Sequence, residues 1–207
     1  MVLRFLGEGV TDANGNVVLS NGYTGTGAGL VDVIAKTTID ESTIVSTPYE
    51  VCDCLYYDDC TSVTHNTDWF NRNNLSTDYT GDVLKLTGGS SGGNYMPNRT
   101  GTATSISDVT EWTPSFVFEY DLITFDDGTK HNAGIQSIGR SYSQLGLSNS
   151  SEHHIKLVYD GSKVYYYIDG SNTATYEAYL TTNPVYASIG VNSGATQTIK
   201  DVKIYPI

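Results

Sequence analysis

His153 to Gly170 reads H-H-I-K-L-V-Y-D-G-S-K-V-Y-Y-Y-I-D-G. Two runs rich in Ile, Val and Tyr flank Asp160-Gly161-Ser162, a turn built on a glycine that tolerates a left-handed backbone, so the stretch reads as a β-hairpin. A period of two puts Ile155, Leu157 and Tyr159 on one face of the first run, and Val164, Tyr166 and Ile168 on one face of the second. That face is core. The opposite face carries Lys156, Tyr165, Tyr167 and Asp169.

The same alternation extends outward. Ser115 to Phe125, S-F-V-F-E-Y-D-L-I-T-F, sets Phe116, Phe118, Tyr120 and Leu122 against Val117, Glu119, Asp121 and Ile123. Ala133 to Gly139 and Ser143 to Leu147 read as shorter strands, Pro184 to Val191 as an alternating one, and Thr198 to Pro206 as the strand that closes the sheet. Upstream, Gly81 to Thr87 is a strand, and the glycine-serine run from Gly88 to Gly93 is a loop too polar to be packed. No stretch reads as a helix longer than a turn or two. The predicted fold is all-β, a two-sheet antiparallel β-sandwich over 48-207, with a short N-terminal β segment and linker over 1-47.

Composition agrees. The chain has 207 residues, enough for a full core, with 21 Gly and 16 Tyr, the profile of many strands joined by tight turns. A net charge of −12 with only 11 Lys and Arg argues against nucleic acid, which needs clustered cations. Anionic membranes are disfavoured for the same reason, and no apolar run approaches the roughly 18 residues of a membrane span. Cys52, Cys54 and Cys60 lie close together. Zinc would need a fourth ligand, with only His65 near; one local disulfide plus a spare thiol, or three reduced thiols, is the simpler account.

Residues 9 to 37 contain an Asn14-Gly15 turn and short apolar alternations around Val17 to Leu19 and Leu30 to Ala35. This segment resembles the last strands of a bacterial immunoglobulin-like adhesin repeat. About three strands are present where such a sandwich needs about seven, so the resemblance implies docking, an upstream continuation, or pairing with a second copy into a homo-oligomer through these N-terminal strands. Thr37 to Pro48 reads as a linker or connecting strand.

The hairpin, with Trp69-Phe70, the Gly81 to Thr87 strand and the ending K-D-V-K-I-Y, resembles the concanavalin A-like lectin and glucanase jelly rolls, which include laminin G-type domains and family 16 glycoside hydrolases. In those hydrolases the catalytic strand carries E-x-D-x-E. Here Glu119 and Asp121 occupy the first two positions and Ile123 the third, so the acid that would protonate the leaving group is missing. The resemblance therefore implies the architecture without catalysis. It also implies a structural calcium ion held by Asp59, Gly81 and Asp201, since calcium accepts carboxylates and main-chain oxygens together; the alternative for Asp201 is a bulge in an edge strand.

Glu119 and Asp121 are either ligand contacts or solvated residues of an exposed face. His153 and His154 read as packing residues. The aromatics exceed the needs of one core, and Trp112, Tyr165 and Tyr167 are candidates to stack on sugar faces. Together these features lead to the expectation of a noncatalytic glycan-binding module, exposed extracellularly on a cell or virion surface as part of an adhesin or a viral tail fibre, whose partner is a glycan or cell-surface receptor. A polysaccharide hydrolase or lyase, and a structural spacer or assembly subunit, are the alternatives.

Overall fold

The computed structural model describes residues 30–33, 36–39, 42–45, 49–52, 54–62, 69–72, 75–98, 111–112, 115–135, 138–180 and 185–207. The Asn14-Gly15 turn, the alternation at Val17 to Leu19 and the candidate ligand His65 lie outside the described residues. Every regular element described is a strand, and none is a helix. Near the N-terminus, β1 (Leu30–Val33) pairs with β4 (Tyr49–Cys52), and between them β2 (Lys36–Ile39) pairs with β3 (Ser42–Val45). The stretch read as a linker or connecting strand thus contains two paired strands. Its alternation of Thr and Ile suits a strand but is too short to stand out in the sequence.

The sandwich is built by a chain that keeps crossing between two sheets. β5 (Tyr56–Asp58), β7 (Ser76–Thr80), β8 (Val83–Thr87), β10 (Phe116–Phe125), β13 (His153–Tyr159), β14 (Lys163–Ile168), β15 (Tyr176–Tyr179) and β17 (Thr196–Pro206) form the larger sheet. Its order is β15-β14-β13-β10-β17-β8-β7, with β5 on the other half of β17. β6 (Trp69–Arg72), β9 (Gly93–Pro97), β11 (His131–Ile135), β12 (Ile138–Ser141) and β16 (Ala187–Val191) form the smaller, in the order β12-β11-β16-β9-β6. All the ladders are antiparallel.

The hairpin forms as its sequence requires. Ile155 pairs with Ile168, Leu157 with Tyr166 and Tyr159 with Val164, all on the core side, while Lys156 faces Tyr167 across the ladder on the other. Gly161 has φ +100, and Asp160 Oδ1 accepts the Ser162 and Lys163 amides at 2.8 and 2.7 Å, which closes the two-residue loop. Phe116, Phe118, Tyr120 and Leu122 join Ile155, Leu157 and Tyr166 against Ala133, Ile135, Ala187 and Ile189 of the smaller sheet in one core.

Four sequence readings change. Ser143 to Leu147 is a run of turns, in which the Leu145, Gly146 and Leu147 amides bond back to Ser141, Ser143 and Tyr142 carbonyls. The glycine run is packed at its two ends: Gly88 and Gly92 are buried while Ser90 and Ser91 between them are exposed, and a Cβ on Gly88 would meet the Asn192 carbonyl oxygen at 2.0 Å. Polarity is a poor guide there because the contact is backbone to backbone, with Gly88 N–H on the Ala195 carbonyl and Gly194 N–H on that of Gly88. The last strand does not close the sheet; β17 sits in its interior between β10 and the β8 and β5 strands. Finally, Trp112, taken as a surface aromatic, is fully buried 6.5 Å from Phe116.

At one end of the core the carboxylate of Asp58, 1% exposed, accepts the Tyr95 hydroxyl at 2.8 Å, the Tyr79 hydroxyl at 3.2 Å and the Cys60 amide at 2.8 Å. Cys60 is a free buried thiol, while Cys54 is disulfide-bonded, the arrangement of one disulfide plus a spare thiol. Replacing Asp58 by Ala removes the acceptor from two buried donors, the Tyr95 hydroxyl and the Cys60 amide, and from the half-buried Tyr79 hydroxyl; a buried donor left unsatisfied costs about 1–3 kcal/mol. Allowing for relaxation, we expect Asp58→Ala to lower unfolding free energy by roughly 3 kcal/mol in urea titration; a change under about 0.5 kcal/mol, typical of a surface substitution, would show that the cluster does not anchor β5.

Candidate functional site

The outward face of the larger sheet is shaped by its central ladder. Glu119 pairs with Lys203 but Asp121 pairs with Lys200, so β17 has one extra residue there; Leu122 pairs with Ile199 but Thr124 with Thr198, so β10 has one extra residue there. The two slips are of opposite sense, and the ladder regains its register. At the first, Asp201 takes φ +52, a left-handed conformation that Asp accepts better than most residues. Buried Ile199 is followed by two half-buried residues, Lys200 and Asp201, and then by buried Val202 and Ile204. Asp201 thus marks a bulge in a central strand rather than an edge strand. At the second slip stands Ile123, so the position that would carry a third carboxylate is also displaced from the alternation of Glu119 and Asp121.

The result is a trough of about 650 Å³ floored by β14, β13, β10 and β17. One row across it runs Tyr167, Lys156, Glu119, Lys203 and Tyr57, each paired with the next. The next row runs His154, Asp121 and Lys200. The β14–β15 connection supplies Gly170, Ser171 and Asn172 at one end. It is positioned by a tight turn in which Asp169 and Gly170 both have positive φ (53° and 70°) and the Ser171 amide bonds the Ile168 carbonyl. Asp169 also ties that turn to β13, accepting the His154 amide at 2.9 Å and lying 2.9 Å from His153 Nδ1.

Within the trough, one imidazole serves two carboxylates. His154 Nδ1 lies 2.8 Å from Asp121 Oδ1, and its Nε2 stands 3.7 Å from Glu119 Oε2, an ion-pair distance. The Tyr205 hydroxyl donates to the same Glu119 oxygen at 2.8 Å. The hydrogen bond to Asp121 and the nearby Glu119 carboxylate push the His154 pKa from 6.5 to about 9, against the opposing effect of partial burial. Burial works against ionisation of Glu119, whose side chain is 8% exposed, but His154, Tyr205 and the Lys156 charge outweigh it and hold its pKa below the ordinary range. Asp121 is lowered first by the His154 hydrogen bond and then by the same imidazolium's charge and those of Lys200 and Lys203. At neutral pH the trio is an imidazolium between two carboxylates.

The sequence-derived site residues divide. Glu119, Asp121 and Tyr167 line the trough, and Asp201 joins them. Tyr165 lies on the same outward face one pair further along, with its hydroxyl on Asp160 Oδ2 at 3.1 Å. Trp112 belongs to the core instead. The reading missed His154, Lys156, Lys203 and Tyr205 as site residues. For the first two the signal was available, because they share the face of Tyr167 by parity; for the last two it required locating the bulge.

Asp59, Gly81 and Asp201 come from adjoining segments. Asp58 pairs with Val202, so Asp59 and Asp201 stand opposite each other at the end of that ladder, and the Ser62 amide bonds the Gly81 carbonyl at 3.0 Å. The Asp59 carboxylate accepts from Thr61 at 3.0 and 3.2 Å, and that of Asp201 from the Tyr57 hydroxyl at 3.1 Å. Among the described residues no three His, Cys, Asp or Glu side chains are grouped so as to hold a metal ion. The donor chemistry, all oxygen, suits calcium, which would have to take the second carboxylate oxygens and main-chain carbonyls.

No protein-family model and no curated protein matches the chain. Solved structures to which the chain is similar include a protein of unknown function with a galectin-like fold from Bacillus subtilis, at 10% identity over 84% of this chain and 98% of that one, with a TM-score of 0.47. Others are the CBM2 module of the evolved Dit protein of Lactobacillus casei BL23 phage J-1 (7%, 74% and 95%, TM-score 0.46) and a functionally unknown protein from Saccharomyces cerevisiae (9%, 68% and 97%, TM-score 0.45). Nothing about ligands follows from likeness at this level.

A raised histidine pKa stabilises the fold fully below its unfolded value and ceases to do so as pH rises through the folded one; a lowered carboxylate pKa stabilises above its unfolded value and ceases to as pH falls through the folded one. The trio therefore contributes most between the ordinary carboxylate values and 6.5, and its contribution declines as pH climbs to about 9. We expect the His154 ring resonance to titrate near 9 by NMR and to move toward 6.5 in Asp121→Asn; an ordinary titration in the unaltered protein would refute the triad.

Proposed function

We propose that the sandwich is a noncatalytic carbohydrate-binding module that takes a glycan across the outward face of its larger sheet. The observation that carries this reading is the trough itself, an open depression whose floor is a network of charged hydrogen-bonding groups and whose side carries Tyr167. A sugar ring presents an apolar C–H face to an aromatic and hydroxyls to ionised groups, and each carboxylate in the trough has two oxygens with which to accept. The proposed setting is a surface adhesin or viral tail fibre that meets a receptor glycan outside the cell.

What supports the noncatalytic reading is the state of the carboxylates. Glycoside hydrolysis by a carboxyl pair needs one group held protonated as the acid. Glu119 and Asp121 are both shifted the other way by a shared imidazolium, and Ile123 stands at the third position. A glycan array is expected to show saturable binding that falls about tenfold or more in Tyr167→Ala, stacking on one aromatic contributing on the order of 1–2 kcal/mol. Incubation with plant, algal and microbial polysaccharides is expected to release no reducing ends; their release would instead favour the hydrolase.

Structural calcium is a separate proposal for the Asp59, Gly81 and Asp201 corner. Adding calcium to chelator-treated protein should raise its melting temperature, and Asp59→Ala should remove the effect. Identical melting with and without calcium in the unaltered protein would count against any ion there.

A further inference from the structure

The trough's face gathers cations that are scarce elsewhere in the chain. The whole chain carries a net charge of −12 with 11 Lys and Arg, yet Lys156, Lys200 and Lys203 stand on this one face, beside the His154 imidazolium. The carboxylates beside them act on them only at a distance, without a direct ion pair. Glu119 lies directly between Lys156 and Lys203 in the cross-strand row, but its Oε2 is engaged by Tyr205 and turned to His154. Asp121 is held by His154. Among the described residues the ion pairs are four involving histidine and one between Lys163 and Glu177, so no carboxylate stands within ion-pair distance of the Lys156, Lys200 or Lys203 ammonium.

Two strand spacings, about 9.5 Å, separate the backbones of Lys156 and Lys203, and their four-carbon stems reach easily across the buried Glu119 between them. Tyr167 and Tyr57 close the two ends of that row. Like charges placed side by side repel when the site is empty, and an anion seated between them relieves the repulsion. A neutral glycan brings neither ammonium a counter-charge at ion-pair distance.

We propose, resting on the glycan-binding reading above, that the ligand is an acidic glycan: Lys156 and Lys203 receive the carboxylate or sulfate of one sugar unit while Tyr167 packs on its ring. His154 acts as a positioning residue by drawing Glu119 and Asp121 away from the lysines. The interaction is electrostatic and open to solvent, so it weakens as salt is added.

Calorimetric titration with three probes tests this: an oligogalacturonate, a sulfated carrageenan oligosaccharide and a neutral galactan oligosaccharide. The expected result is binding of one or both acidic probes, at least about tenfold tighter than the neutral one, weakened by salt and lost in the Lys156→Ala/Lys203→Ala double variant. Which acidic probe binds distinguishes carboxylate from sulfate. Lys163→Ala, a lysine outside the trough, should leave binding unchanged, and circular dichroism of each variant verifies the fold. Equal binding of all three probes, insensitive to the two lysines but lost in Tyr167→Ala, overturns the acidic-ligand inference and leaves glycan binding standing. Acidic binding that survives undiminished in the double lysine variant overturns the assignment to these lysines. No binding of any probe, together with a silent array, overturns both readings.

Discussion

The central ladder between β10 and β17 constrains everything on the functional face. Had the alternation run unbroken from Ile199, then Asp201, Lys203 and Tyr205 would point into the core, and Val202 and Ile204 would face water. Burying two charges without partners costs several kcal/mol, while leaving those two aliphatic side chains exposed forfeits about 1.5–3 kcal/mol each. One left-handed residue costs less, of order 1–3 kcal/mol even where it is unfavourable, and an aspartate is better suited to it than a branched residue. The bulge is thus the cheapest way for K-D-V-K-I-Y to lie beside β10, and it brings Lys203 and Tyr205 of β17 alongside Glu119. The second, opposite slip at Ile123 restores the register, so the irregularity stays local to the trough.

The core, rather than the ion trio, holds this face flat. Partly exposed ion pairs contribute about 0–1 kcal/mol each, whereas each large side chain buried between the sheets contributes about 1.5–3 kcal/mol. The core also has its own polar demands. Tyr166 crosses to the Ala133 and Ile138 carbonyls of the smaller sheet at 3.2 and 2.7 Å, and Tyr120 and Tyr142 share a hydrogen bond that Tyr142 continues to Gln197 Oε1 at 2.6 Å. These bonds fix which rotamer each ring takes and so resist sliding of one sheet on the other. The trio adds to stability, but the larger share comes from the core.

Long, evenly alternating strands were legible in the sequence. The hairpin and β10 were readable residue by residue, since burial on one face and water on the other impose a period of two. What a local pattern does not carry is the partner. The interior position of β17 and the burial of Trp112 depend on strands distant in sequence, and the packed glycines at Gly88 and Gly92 depend on a close approach by Asn192. The site was half legible for the same reason. Glu119, Asp121 and Tyr167 follow from parity, but His154 looked like a packing residue because its role arises only when Asp121 is its cross-strand neighbour. Tyr57 and Lys203 become part of one row only through the pairing of β5 with β17.

That pairing has a consequence for selectivity. A trough with three carboxylates and three cations lining it, Glu119, Asp121 and Asp201 against His154, Lys156 and Lys203, is nearly neutral in sum but not in arrangement. The carboxylates are each engaged by an imidazole or a tyrosine hydroxyl, which spreads their charge into the protein and fixes their orientation. The two lysines make no direct ion pair among the described residues, and the Lys203 ammonium lies 5.9 Å from the centre of the Tyr57 ring, so a ligand has to order both side chains. Ordering them costs about 2 kcal/mol of side-chain entropy each, so only a ligand that returns a charge-assisted hydrogen bond to each offsets that cost, and a hydroxyl returns about half as much. The same geometry that keeps the carboxylates ionised therefore underlies the proposed preference of the lysines for an anion, and both descend from placing one histidine opposite Asp121 and beside Glu119.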